Sequence, residues 1–98
     1  MAHYWISPLA ERDLEAIGDF IAQDNPQRAH TFIAELRKQC VRIAASPKVF
    51  RLRPELGNDI RSCAYGNYVI FFQERPGELC IVRVLHGAMD IESRLSEK

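Results

Sequence analysis

The chain is poor in the residues that build special chemistry. Only three of its 98 residues are cysteine, Cys40, Cys63 and Cys80, and their wide spacing excludes a Cys-x-x-Cys redox pair and a paired zinc motif. An odd number so spaced predicts reduced, mainly buried thiols. No apolar run approaches the roughly 18 residues that cross a bilayer. Met1 to Ile6 gives way to Ser7, Pro8 and a charged segment, unlike the apolar stretch of a signal peptide. A cytoplasmic address with no membrane contact is therefore expected. Charge of one sign is also missing, since thirteen Lys plus Arg balance thirteen Asp plus Glu, which removes strong general attraction to nucleic acid or anionic lipid. The sequence has no Gly-rich phosphate loop, no His-Glu-x-x-His, no Gly-x-Ser-x-Gly and no Cys/His cluster of metal spacing. No metal and no cofactor are expected.

What is present is a globular balance, 47% apolar and 27% charged, in a chain too short to divide into two cores. One domain over residues 1–98 follows. His3 to Ile6 reads as a strand that stops at Ser7-Pro8, where Ser7 can cap a helix and Pro8 takes its first turn without wasting an N–H. Ala10, Leu14, Ile17 and Ile21 then recur at helical steps and leave Glu11, Glu15 and Asp19 outside. Asn25-Pro26 repeats the punctuation and opens a second helix whose stripe is Ala29, Ile33, Leu36, Cys40 and Ile43, widened by Phe32 and Ala44 and ended by Ser46-Pro47. The two helices form an antiparallel hairpin.

Pro47 to Gly57 reads as a loop. From Asp59 the period falls to two, with Ile60, Ser62 and Ala64 on one side and Arg61, Cys63 and Tyr65 on the other. Gly66-Asn67 permits a tight reversal into Tyr68 to Gln73, apolar on both faces and so expected near the middle of a sheet. Arg75-Pro76-Gly77 turns the chain into Leu79 to Leu85. The result is an α+β architecture: an N-terminal strand and helical hairpin packed on a small antiparallel sheet. The first strand pairs with the meander, and Ile91 and Leu95 suggest a short C-terminal helix within Asp90 to Lys98.

Candidate chemistry rests on ionisable residues that interrupt the strand pattern. Arg61, Arg83 and His86, with Arg51 and Arg53 nearby in sequence, are candidates for one anion-recognising patch, because an arginine fork grips phosphate or carboxylate through two bonds. The alternative is structural: an exposed Arg61, an Arg83 paired with a carboxylate, and a His86 that caps a sheet end. Local charge is also uneven. Arg37, Lys38, Arg42, Lys48, Arg51, Arg53 and Arg61 oppose only Glu55 and Asp59, whereas Glu11, Asp13, Glu15, Asp19 and Asp24 oppose only Arg12. This polarity is either a solvated surface or a docking signal.

Four segments together resemble the ParE branch of the RelE/ParE toxin superfamily: SPLAERDLEAIGDFIAQDNP, LRKQCVRIAASPKVFR, DIRSCAYGNYVIFF and IVRVLHGAMDI. The resemblance covers nearly the whole chain. It implies a RelE/ParE-like fold and a toxin held in a heteromeric complex by a ParD-like antitoxin, which supplies most of the contact to DNA. Members of this branch poison DNA gyrase, so gyrase is the implied target and no catalytic residue is assigned. Relatives in the RelE branch cleave messenger RNA on the ribosome, and here Arg61 and Arg83 match that branch's arginine positions. Met89 stands near the place of its late catalytic tyrosine, however, and Met cannot transfer a proton. It also replaces the arginine that commonly precedes the residue matching Asp90.

Three readings stay open on this resemblance: a gyrase inhibitor, a ribosome-dependent endoribonuclease using Arg61, Arg83 and His86, and a degenerate toxin that only binds antitoxin. Target-binding candidates are Arg61, Arg83, His86, Arg51 and Arg53. Candidates for antitoxin contact, by a helix-in-groove or strand-addition mode, are Trp5, Leu9, Ile17, Phe20 and Val41.

Overall fold

A computed structural model describes residues 3–95. Its elements are β1 (Tyr4–Ile6), α1 (Pro8–Ala22), α2 (Pro26–Ala45), β2 (Arg51–Leu52), β3 (Ile60–Tyr65), β4 (Tyr68–Arg75), β5 (Glu78–His86) and α3 (Ile91–Leu95). Both helices of the hairpin begin where the Ser-Pro and Asn-Pro signals place them. The Ser7 Oγ accepts the Ala10 N–H at 3.0 Å, and the Asn25 Oδ1 accepts the Arg28 N–H at 3.0 Å. Ser7 also reaches beyond its own helix. Its hydroxyl donates to the Val82 carbonyl at 2.8 Å, and its backbone N–H donates to the Ile81 carbonyl at 3.0 Å. One residue thus starts α1 and fastens that start to β5.

The sheet runs β1-β5-β4-β3-β2. β2, β3, β4 and β5 pair antiparallel in sequence, whereas β1 lies parallel to β5, with Tyr4 opposite Leu79 and Ile6 opposite Ile81. The sheet is therefore mixed, not antiparallel throughout. The physical reason is the long connection from β1 to β5, which passes through two helices and three strands and leaves either direction open to an edge strand. The segment read as a loop from Pro47 to Gly57 also contains a strand. Arg51 and Leu52 pair with Ser62 and Arg61, flanked by single 3-10 turns at Pro47–Val49 and Pro54–Leu56. Two residues between prolines carry no readable alternation.

β4 is central and explains its own composition. Ile70 and Phe72 join Leu14, Leu36, Cys40 and Ile43 beneath the helical hairpin, while Phe71 joins Ile60 and Leu85 on the opposite face. α3 covers that second cluster with Ile91 and Leu95. The expected C-terminal helix is thus present at Ile91–Leu95, and the rest of the tail, 96–98, lies outside the described residues. Gly66 turns β3 into β4 at φ 59°, a conformation that glycine adopts without steric cost. All three cysteines are buried and free.

A bulge completes the geometry. Phe71 stands opposite Arg83 but Phe72 stands opposite Ile81, so Val82 is an extra residue in β5. Ile81 and Val84, three positions apart, both reach the main core, and Arg83 shares the face of Phe71.

Removing the Ser7 hydroxyl should have an effect larger than that of an ordinary surface change. Ser7→Ala loses both the cap and the bond to Val82, and we expect a loss of about 1–2 kcal/mol in urea unfolding, with Ser7→Thr retaining most of it. A loss below about 0.5 kcal/mol would show that the stitch is unimportant.

Candidate interaction sites

Arg83 is the most constrained of the sequence candidates. Its Nε donates to Asp13 Oδ2 at 2.8 Å and its Nη2 to Asp13 Oδ1 at 2.9 Å, a two-bond clasp between β5 and α1. Its Nη1 donates to the Arg94 carbonyl at 2.7 Å and so reaches α3. Side-chain exposure is 8% for Arg83 and 13% for Asp13. Asp13 Oδ2 also accepts the Val84 N–H at 2.9 Å, covering the edge of β5 beyond the end of β1. Arg83 joins three elements in the interior. The sequence alternative in which it pairs with a carboxylate describes its geometry, although its partner lies 70 positions earlier.

The remaining target candidates occupy different places. Arg61 is half-buried and donates from Nη1 to the Phe50 carbonyl at 2.8 Å, beside a polar hollow lined by Lys48, Asp59, Glu74 and Arg75. His86 is exposed at the end of β5, its ring edge-on to Tyr68 at 5.3 Å. Its Nδ1 accepts the Ala88 N–H at 3.1 Å, so a neutral His86 carries its proton on Nε2. Arg61 lies opposite Phe72 on β3, and His86 lies opposite Tyr68 on β5. Four residues along β4 and two strand spacings separate their Cα positions by roughly 16 Å.

Arg51 and Arg53 project to the sheet face opposite Arg61, because Arg51 pairs with Ser62 while Leu52 pairs with Arg61. Arg53 is engaged by Glu55 at 2.7 Å and by the Ser62 Oγ at 3.3 Å. The Arg53 guanidinium holds the Glu55 carboxyl below its usual range. Arg51 is exposed. The five candidates therefore form no single patch. The sheet pleat and the internal pairing of Arg83 separate them, and neither is visible in one-dimensional spacing.

The antitoxin candidates divide as well. Tyr4 and Ile6 pack on the main core, so Trp5 between them projects to the other face of an edge strand, where it is exposed. Val41 is exposed on α2, Leu9 is half-buried, and Ile17 is buried in the core. Phe20 is 66% exposed. Ile17 and Phe20 nevertheless share one feature, an apolar groove of about 310 Å³ walled by Ala16, Ile17 and Phe20 of α1, Val84 and His86 of β5, and Met89. A second groove of about 420 Å³ lies on the hairpin, lined by Gly18, Ile33, Ala34 and Arg37.

Two arrangements escaped the sequence reading. Glu35 on α2 accepts from Arg28 at 2.8 and 3.3 Å and from the Tyr65 hydroxyl at 2.8 Å, while the Arg28 guanidinium lies 5.1 Å from the Phe32 ring centre. Arg28 first, and Tyr65 second, keep the Glu35 carboxyl below its usual range. Asp13 is the other, and it had a signal. It interrupts the otherwise apolar series Leu9, Ala16 and Phe20 on one side of α1. Burial pushes the Cys40 thiol up to about 11, which leaves it protonated at neutral pH and a poor nucleophile. Among the described residues no three His, Cys, Asp or Glu are grouped to hold a metal ion, and no helix is long and apolar enough to cross a membrane.

The small α+β scaffold thus combines one buried ionic clasp with shallow surface grooves. Residues 4–91 match the family model described as the ParE toxin of the type II toxin-antitoxin system parDE, and the chain belongs to that family. It is 30% identical over 96 residues to the toxin ParE1 of Mycobacterium tuberculosis, covering 96% of this chain and 98% of that one. It is 28% identical over 100 residues to a ParE toxin of Escherichia coli, covering 100% and 97%. Two solved structures share the fold. One is a chromosomal ParDE toxin-antitoxin system of P. aeruginosa, with TM-score 0.74, 19% identity and coverage of 88% and 96%. The other is the RelBE2 toxin-antitoxin complex of M. tuberculosis, with TM-score 0.64, 22% identity and coverage of 87% and 96%. The chain is a toxin-antitoxin toxin of the ParE/RelE superfamily.

Two measurements check the buried groups. Asp13→Asn removes the carboxylate charge from the two-bond clasp on Arg83, and we expect a loss of about 3–5 kcal/mol in denaturant unfolding; a loss under about 1 kcal/mol would mean that the pair does not hold these elements together. For Cys40 the folded pKa is raised above the ordinary 9.0, so its contribution is complete below pH 9 and falls as pH rises towards about 11. Cys40→Ala should flatten the decline in stability over that window relative to the unsubstituted chain. Parallel declines in the two proteins would refute this assignment.

Proposed function

We propose that this chain arrests bacterial growth by binding and poisoning DNA gyrase, without covalent chemistry of its own, and that a ParD-like antitoxin neutralises it in a heteromeric complex. It acts in the cytoplasm, and DNA contact comes mainly through the antitoxin. The observation that carries this reading is the dispersal of the ionisable candidates. RNA cleavage by 2′-hydroxyl attack needs a base, a phosphate-stabilising cation and an acid around one phosphate. Here Arg83 is clasped inside by Asp13, Arg61 and His86 sit at distant corners of the sheet, and Met89 has no proton to give. Exposed Arg51, half-buried Arg53 and Arg61, and exposed His86 remain candidates for target contact. Arg83 would contribute by positioning α3.

The test is a supercoiling reaction with purified gyrase, ATP and relaxed plasmid, to which antitoxin-free chain is added at rising concentration. We expect dose-dependent loss of supercoiling with protein-linked double-strand breaks, reversed by the antitoxin encoded beside the chain. The double variant Arg51→Glu/Arg53→Glu should require about tenfold more protein for the same effect. Unchanged supercoiling with folded, antitoxin-competent protein would defeat the reading. New message cleavage on translating ribosomes would replace it with the endoribonuclease alternative.

A further inference from the structure

The segment from Pro47 to Gly57 is a strap with few holds of its own. Pro47 and Pro54 each open a single 3-10 turn, and only Arg51 and Leu52 between them pair with β3, fewer residues than an ordinary strand uses to stay in place. Val49 and Leu52 turn apolar surface to solvent, at 77% and 45% exposure. The exposed Lys48 reaches Glu74 only at 3.4 Å, and a surface ion pair adds little. Yet this strap carries Arg51 and Arg53, two of the basic side chains offered above for target contact.

Three further contacts tie Phe50 and the strap backbone to the sheet. The Phe50 ring stands edge-on to Phe72 at 5.7 Å, the Arg53 N–H donates to the Ile60 carbonyl at 2.7 Å, and Arg61 Nη1 donates to the Phe50 carbonyl at 2.8 Å. The last has a charged donor and is the stronger kind of bond. Together the bonds at Phe50 and Arg53 bracket Arg51–Leu52, so the backbone between them is fixed at each end. Arg61 stands opposite Leu52 and shares its face, whereas Arg51 and Arg53 lie on the other. A partner docked on Arg51 and Arg53 therefore meets the face away from Arg61. The hollow beside Arg61 holds Asp59 and Glu74 as well as Lys48 and Arg75, a lining of mixed sign that does not select an anion.

We infer that Arg61 is a positioning residue: its guanidinium latches the Phe50 carbonyl and holds the strap on β3, so that Arg51 and Arg53 are presented to the target while Arg61 itself does not touch it. This inference rests on the gyrase reading proposed above, and it separates Arg61 from the two arginines it holds in place. The effect of Arg61 on potency then runs through Arg51 and Arg53.

Amide hydrogen exchange by NMR and the gyrase supercoiling reaction, both on the full chain, test the assignment. In Arg61→Ala the exchange protection of the Arg53 amide should fall about tenfold while the amides of β4 keep theirs. The concentration that half-inhibits gyrase should rise about fivefold, and Arg61→Lys, which keeps a charged donor for the carbonyl, should recover most of both losses. The deciding comparison is made in the Arg51→Ala/Arg53→Ala background. There Arg61→Ala should change potency by less than about 1.5-fold, because the side chains it presents are gone, whereas a residue touching the target itself would keep its whole effect. A full loss of about fivefold in that background, or native protection of the Arg53 amide in Arg61→Ala, would overturn the inference while the gyrase reading stands. No inhibition by the unsubstituted, folded, antitoxin-competent chain would remove the gyrase reading and this inference with it.

Discussion

The clasp between Arg83 and Asp13 sets a constraint that the neighbouring elements must satisfy together. A buried guanidinium gives up its hydration, a penalty of several kcal/mol that is recovered only if its donors meet well-placed acceptors. Two of the donors take both oxygens of one carboxylate and a third takes the Arg94 carbonyl. α1 must therefore lie along the edge of β5, and α3 must return across the outer face. The bulge at Val82 belongs to the same solution. If β5 alternated regularly through Val82, Ile81 and Arg83 would share a face, and the guanidinium would project beneath the helical hairpin.

The sheet is organised around this clasp in two apolar layers of unequal depth. The hairpin covers one face with a continuous cluster from Ala10 to Val84, whereas the other face has the smaller group Ile60, Phe71 and Leu85. α3 has five residues, too few to be stable as an isolated helix. Its position depends on Ile91 and Leu95 against that small cluster and on the bond from Arg83. The C-terminal turn is thus a tertiary feature whose stability is borrowed from β5 and α1.

Much of this fold was legible where local chemistry and periodicity agree. Ser7-Pro8 and Asn25-Pro26 begin helices because a side-chain acceptor and a missing N–H fit the same turn, and β4 is central because Val69, Ile70, Phe71 and Phe72 need cover on both faces. Other features were silent for stated reasons. The parallel direction of β1 depends on a partner more than 70 residues away, the strand Arg51–Leu52 is too short to alternate, and the bulge shifts register without any glycine to mark it. The site was less legible than the fold. Arg61, Arg83 and His86 each interrupt an apolar strand, but interruption does not distinguish an arginine facing a ligand from one facing Asp13.

Burial of Arg83 also changes what the surface of a neutral chain can do. Asp13 lines the groove with Ala16, Ile17 and Phe20, both of its carboxylate oxygens engaged by Arg83 and by the Val84 N–H, so its charge is balanced there, while Glu15 and Asp19 stay exposed elsewhere on α1. Arg51 is exposed on the outer face at the far edge of the sheet, beside β3, while α1 runs along β5 on the other side. At physiological salt charges farther apart than about 8 Å are largely screened from one another, so the zero net charge does not describe either region. Each presents its own sign to a partner. A molecule of this size can thereby carry acidic side chains along α1 and basic side chains at the opposite edge of the sheet, each acting over its own short range.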